Sequence, residues 1–145
     1  MDYVKALRGS GFKITPQRLR VIDYVMSMTP GHFRADDVFS EVHRIEPTIT
    51  KATVYNILRT LQKSSVLRSF ELKGATWFET NTETHANFLC EICGEISDID
   101  IERSAISDPI REKGYEVTES NLLLWTYLHT SGSGTLASDV YDIRS

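Results

Sequence analysis

Between Thr50 and Lys63 the apolar residues Val54, Ile57, Leu58 and Leu61 recur at i, i+3, i+4 and i+7. That spacing predicts one buried stripe of a helix. Tyr55, Asn56, Arg59 and Lys63 share a second, polar face. A cation can hold phosphate, an amide can read a base edge, and an aromatic ring can meet a thymine methyl. The same face would also suit an ordinary solvated helix, so the neighbouring elements decide. Thr50 is placed to cap the helix start with its hydroxyl.

Upstream, residues 2–9 have a short helical pattern with Val4 and Leu7 on one side, ending at Gly9-Ser10-Gly11. Thr15-Pro16 predicts a second helix start, with Thr as cap and Pro at the first helical position. Leu19, Ile22, Val25 and Met26 form its expected buried stripe, and Thr29-Pro30-Gly31 ends it. A third helix is expected from about Ala35 to Glu46, with Val38, Phe39, Val42 and Ile45 inward. Pro47-Thr48-Ile49 then makes a tight turn into the Thr50 helix, giving a helix-turn-helix order. Downstream, Val66–Leu72 and Ala75–Glu79 are β-rich runs around Lys73-Gly74. They predict a hairpin, the wing of a winged helix. Arg68 and Lys73 are candidate phosphate contacts there. DNA-contact candidates on the helices are Thr53, Tyr55, Asn56, Arg59 and Lys63, with Arg18 from the second helix.

The polar run Asn81-Thr82-Glu83-Thr84 predicts a hinge. Beyond it, two strands are expected between Phe88 and Ile99, then a helix over 102–113, a strand at Tyr115-Glu116-Val117 and another from Leu122 to Leu128. These elements suggest a small α/β unit. The apolar run Leu122-Leu123-Leu124-Trp125 would be a poor uncovered edge, and a second copy of the chain would cover it. The expected class is therefore α+β. Residues 1–80 form a winged helix-turn-helix domain, 81–84 a hinge, 85–129 a dimerisation and metal-binding domain, and 130–145 a flexible tail.

The net charge of −4 sits badly with DNA binding until the chain is split. Residues 1–75 carry 12 Lys/Arg against 7 Asp/Glu, whereas residues 76–145 carry 4 against 13. A +5 half can meet a polyanion, and a −9 half can meet cations. No apolar run approaches the ~20 residues of a membrane span, and the first residues lack a signal-peptide core. A cytoplasmic location without membrane contact is the expectation.

Two groups carry metal chemistry. Cys90 and Cys93 have the spacing of half a four-cysteine zinc site, and no second cysteine pair exists in the chain. A structural zinc and two packed free thiols are both open. A thioredoxin-like role fits less well, because the segment after Cys93 leads into a strand rather than a helix. His32, Glu79, His85, Asn87 and Asp98 form a mixed nitrogen and oxygen donor set suited to Fe2+ or Mn2+, with Zn2+ also possible.

Four segments then come together: Gly11-Phe12-Lys13-Ile14-Thr15-Pro16-Gln17-Arg18, His32-Phe33-Arg34-Ala35-Asp36-Asp37-Val38, Ala52-Thr53-Val54-Tyr55-Asn56-Ile57-Leu58 and His85-Ala86-Asn87-Phe88-Leu89-Cys90-Glu91-Ile92-Cys93-Gly94. In this order they resemble the ferric uptake regulator (Fur) superfamily over residues 4 to about 128. The resemblance implies a dimeric, metal-activated winged-helix repressor that binds palindromic operators. By motif, His32, Glu79, His85 and Asp98 fall at the family's regulatory metal site, and Asn87 replaces a second hinge histidine. Thr84, Ala86, Ala105 and Ser120 stand where an additional site would have ligands. Leu128 and Ser131 stand where the second cysteine pair would be. Asn56 and Asp98 resemble the peroxide-sensing members, in which bound Fe2+ reacts with peroxide and ligand histidines are oxidised. Glu79 is more like the iron-uptake members. An iron- or manganese-responsive repressor is the reading, with peroxide sensing open. Two alternatives belong to other classes: a winged-helix module that has lost metal sensing, and a thiol or metal redox enzyme using the cysteine pair.

Overall fold

The structure is a computed structural model that describes residues 2–126. The tail 130–145, the end of the last expected strand and His129 lie outside the described residues. The class is α+β, and the chain divides into two compact units between Thr82 and Glu83.

The first unit runs α1 (Tyr3–Gly9), α2 (Pro16–Ser27), β1 (His32–Arg34), α3 (Ala35–Ile45), α4 (Lys51–Lys63), β2 (Arg68–Leu72) and β3 (Ala75–Glu79). The strands form one antiparallel sheet in the order β1-β3-β2. This is a winged helix. In α4 the stripe Val54, Ile57, Leu58 and Leu61 is wholly buried, each residue at 0% exposure. Thr50 Oγ1 accepts from the Thr53 N–H at 3.2 Å and caps the helix as its position predicts. Thr15 caps α2 in the same way, accepting from the Arg18 N–H. At the start of α3 the Asp37 carboxylate accepts from the Arg34 backbone and guanidinium, and this hydrogen bonding holds Asp37 below the usual carboxylate range.

Three expected core residues face out instead. Leu19 and Met26 are exposed, and α2 buries Val21, Ile22 and Val25. Two overlapping stripes share Ile22 and Val25. The one that continues to half-buried Met28 packs on the core with α3 and α4, which rotates Leu19 and Met26 outward. Ile45 is exposed because α3 ends there, and Ile49 from the following turn takes the inward place at 2% exposure. Strand β1 has no counterpart among the expected elements. It is three residues long, and its Phe33 stacks on Phe78 of β3 with ring centroids 6.2 Å apart. The hairpin turn is built by Lys73 and Gly74, both with positive φ (51° and 77°). Left-handed backbone at both central positions is the twist that two-residue hairpins favour.

The second unit runs β4 (His85–Cys90), β5 (Ile96–Asp100), α5 (Arg103–Arg111) and β6 (Leu122–Thr126). Its sheet has the order β5-β4-β6, with β4 antiparallel to β5 and parallel to β6. The strand expected at Tyr115-Glu116-Val117 does not form. Gly114, at φ 84°, closes α5 instead: its N–H donates to Arg111 O and the Tyr115 N–H donates to Ile110 O. This paired capping pattern spends on the helix end a backbone donor that a strand would need. Strand β6 lies at the sheet edge with Leu124 and Trp125 about half exposed.

Candidate functional site

The outer face of α4 is presented by its buried face. Asn56, Arg59 and Lys63 are exposed, and Tyr55 is 41% exposed. The Tyr55 ring meets Phe78 edge-on at 6.5 Å, and the Arg59 guanidinium lies 5.8 Å from the Tyr55 ring centroid. Tyr55 thereby orders Arg59 on the helix surface. Thr53 pairs its hydroxyl with that of Thr50 at 2.9 Å, in the cap. Arg18 is half-buried; its Nη1 donates to Lys13 O at 2.5 Å and its guanidinium covers the Phe12 ring. Arg18 and Thr53 therefore have local structural roles.

Two residues outside the expected set position this helix. Gln17 Nε2, at the start of α2, donates to Thr48 Oγ1 at 2.6 Å, and Thr48 Oγ1 donates to the Glu46 carboxylate. The clamp fixes the turn from which α4 starts. The polar residues of that turn were the available signal, but their partner lies 31 positions away.

In the first unit, β1 and β3 place His32 directly opposite Glu79. Glu79 is 1% exposed. His32 Nε2 lies 3.6 Å from Glu79 Oε2, and Arg68 Nε lies 3.7 Å from Glu79 Oε1. Arg68 thus turns toward a buried carboxylate, not outward to phosphate as its wing position suggests. In the second unit, His85 and Asn87 are two apart on β4 and so share a sheet face. Asp98 on β5 is the register partner of Asn87. His85 and Asn87 are buried. His85 Nδ1 lies 2.7 Å from Glu83 O. A carbonyl only accepts, so Nδ1 donates in this contact, and Nε2 is the ring nitrogen that can ligate a metal. Among the described residues, no three His, Cys, Asp or Glu side chains already converge. The donors stand as a His–Glu pair and a His–Asn–Asp group, each arranged within its own unit.

Cys90 is buried at the end of β4, and Cys93 is exposed in the following turn. The Cys93 N–H donates to Cys90 Sγ at 3.5 Å, and Gly94 at φ 77° closes the turn with its N–H on Cys90 O. The Cys93 backbone donor draws the Cys90 thiol below its usual pKa. Ile96 then opens β5, so the segment after Cys93 is indeed a strand.

Residues 9–125 match the model of the ferric uptake regulator family. This chain belongs to that family. Among curated proteins it is 32% identical over 98 residues to the peroxide-responsive repressor PerR of Staphylococcus aureus, a match covering 67% of this chain. The match spans 66% of that repressor's length, just under two thirds. The fold is also that of solved family structures. The ferric uptake regulator of Pseudomonas aeruginosa with manganese superimposes at a TM-score of 0.71 and 24% identity, covering 87% of this chain and 97% of that one. The Campylobacter jejuni peroxide stress regulator gives 0.66 at 24% identity, over 90% and 99% of the two chains.

Membership of the ferric uptake regulator family implies a divalent metal. The donors present suit one: imidazoles whose ring nitrogens can ligate, carboxylates, and an amide oxygen. The contact of His85 Nδ1 with Glu83 O, which orients the ring, is the structural feature that meets this requirement most directly.

Proposed function

We propose that this chain is a metal-responsive DNA-binding repressor of the ferric uptake regulator family. It acts as a cytoplasmic homodimer on a palindromic operator. The exposed face of α4 carries the reading. Its apolar stripe is fully used in the core, which leaves Tyr55, Asn56, Arg59 and Lys63 for a ligand. The basic balance of residues 1–75 favours a polyanion as that ligand. The half-exposed edge strand β6 supports pairing with a second copy.

Metal control is assigned to His32 and Glu79 together with His85, Asn87 and Asp98. When bound, Fe2+ or Mn2+ would take imidazole, carboxylate and amide donors from this set; Zn2+ is an alternative ion. Linkage then limits the gain in operator affinity to the difference in metal affinity between DNA-bound and DNA-free protein, ~1–3 kcal/mol in allosteric systems. Residue by residue, Glu79 and Asp98 supply negative charge. His85 supplies Nε2, its Nδ1 being held by Glu83 O, and the Asn87 amide supplies an oxygen weaker than a carboxylate. Cys90 and Cys93 remain candidates for a zinc site in the second unit. Nothing in the family match favours the thiol or metal redox enzyme.

The test is a set of single substitutions. Tyr55→Ala, Asn56→Ala and Arg59→Ala should weaken operator binding while leaving thermal unfolding of the protein close to the parent. Loss of a base contact should relax preference at one position by ~1–3 kcal/mol, whereas loss of the Arg59 phosphate contact should weaken all sequences alike. Parent-like affinity in all three variants would remove α4 as the reading helix.

Peroxide response is a second reading, supported by the 32% identity to a peroxide-responsive repressor and by Asn56 and Asp98. It predicts that hydrogen peroxide releases the Fe2+-loaded protein from operator and spares the Mn2+-loaded protein. Equal sensitivity of the two, or none in either, rejects peroxide sensing and leaves metal response.

A further inference from the structure

We propose that Arg68 is a resident counter-cation for Glu79 that sets how tightly the His32–Glu79 half-site takes a divalent ion. The inference rests on the metal-responsive reading above. Glu79 sits on the middle strand of the first sheet at 1% exposure. A carboxylate taken out of water needs a partner. Strand register supplies one on each side, His32 from β1 and Arg68 from β2. The two carboxylate oxygens are divided between them: Oε2 faces His32 Nε2 and Oε1 faces Arg68 Nε.

These two neighbours differ in kind. An imidazole nitrogen can ligate a metal, whereas a guanidinium has donors only and stays charged. Arg68 therefore cannot join the ligand set. It neutralises Glu79 whether or not metal is present. Two effects follow. The metal-free unit can keep Glu79 buried without an ion. An arriving divalent ion meets a carboxylate whose charge is already compensated, with a positive group fixed on its far side. Arg68 thus weakens metal binding and keeps it reversible over the concentrations a sensor must report. Its side chain is 19% exposed, so water screens this interaction only in part.

The full chain is titrated with Mn2+, and free Mn2+ is measured by its electron paramagnetic resonance signal. Arg68→Gln should bind Mn2+ about tenfold more tightly, the scale for removing one unit charge near a divalent ion. Arg68→Lys, which restores a cation, should return toward the parent. Arg44→Gln, which breaks the exposed Arg44–Glu41 pair, should bind like the parent. A structural role alone would lower stability without tightening the metal. His32→Ala and Glu79→Gln run beside them and should lose affinity. If both bind like the parent, the metal site and this inference fall together. If both lose affinity but folded Arg68→Gln binds no more tightly than the parent, the counter-cation role alone falls. Should Arg68→Gln not fold, the double variant with Glu79→Gln should fold again, because the buried carboxylate left without its cation is then gone. A double variant as unfolded as the single one overturns the pairing.

Discussion

His85→Ala is expected to give a folded dimer whose operator affinity no longer rises with Fe2+ or Mn2+. The parent should gain about 5–150-fold from metal, the range of typical allosteric coupling, and the variant should gain nothing. His85 is the donor with the clearest preparation for ligation, since Glu83 O fixes its Nδ1 proton. Its side chain lies on β4, outside the buried apolar cluster of the first unit, so the loss should be functional. His43→Ala is the comparison. His43 lies against Phe39 at 4.9 Å and against Ile49 O, so its removal should cost a little stability and leave the metal response unchanged. Anaerobic operator titrations of the three proteins against each metal make the measurement. A His85→Ala protein that responds like the parent places sensing elsewhere.

Leu58→Ala should destabilise the first unit by about 2–5 kcal/mol, the cost of a large-to-small change in a packed core. Leu58 is fully buried and belongs to the cluster that joins α1, α2, α3 and α4. Urea unfolding followed by helix signal reads the effect. Thr60→Ala, on the same helix but with its hydroxyl bonded only to Asn56 O, should cost far less. Similar losses in the two variants would contradict the burial pattern of α4.

The fold was legible where period and punctuation agreed. Val54, Ile57, Leu58 and Leu61 mark one helical face, Thr15-Pro16 and Thr50 mark starts, and Lys73-Gly74 marks the wing turn. It was illegible where two patterns competed or where the cause lay far along the chain. Leu19 and Met26 fit one stripe of α2 as well as Val21 fits another, and only the packing partners select between them. Tyr115-Glu116-Val117 has strand composition, but Gly114 commits its first N–H to ending α5. Strand β1 is too short for any period, so the facing of His32 and Glu79 had no local trace. The facing of Arg68 and Glu79 was within reach. A two-residue turn at 73–74 pairs 72 with 75 and, by counting outward, 68 with 79. Treating Arg68 as an outward wing charge passed over that count. For the candidate site, the donor types and their order were readable. Their grouping into a pair and a trio came from strand register.

The parallel pairing of β4 with β6 sets an order of assembly for the second unit. Strands β4 and β5 are joined by a short turn and can zip locally, whereas Ala86 meets Leu122 only after the intervening chain has been traversed. Contacts of that separation close late, because loop entropy is lost before they reward it. During synthesis the β4–β5 hairpin therefore waits with one side of β4 bare until residues 122–126 emerge. That interval is the moment at which a stray strand from another chain could take the place of β6.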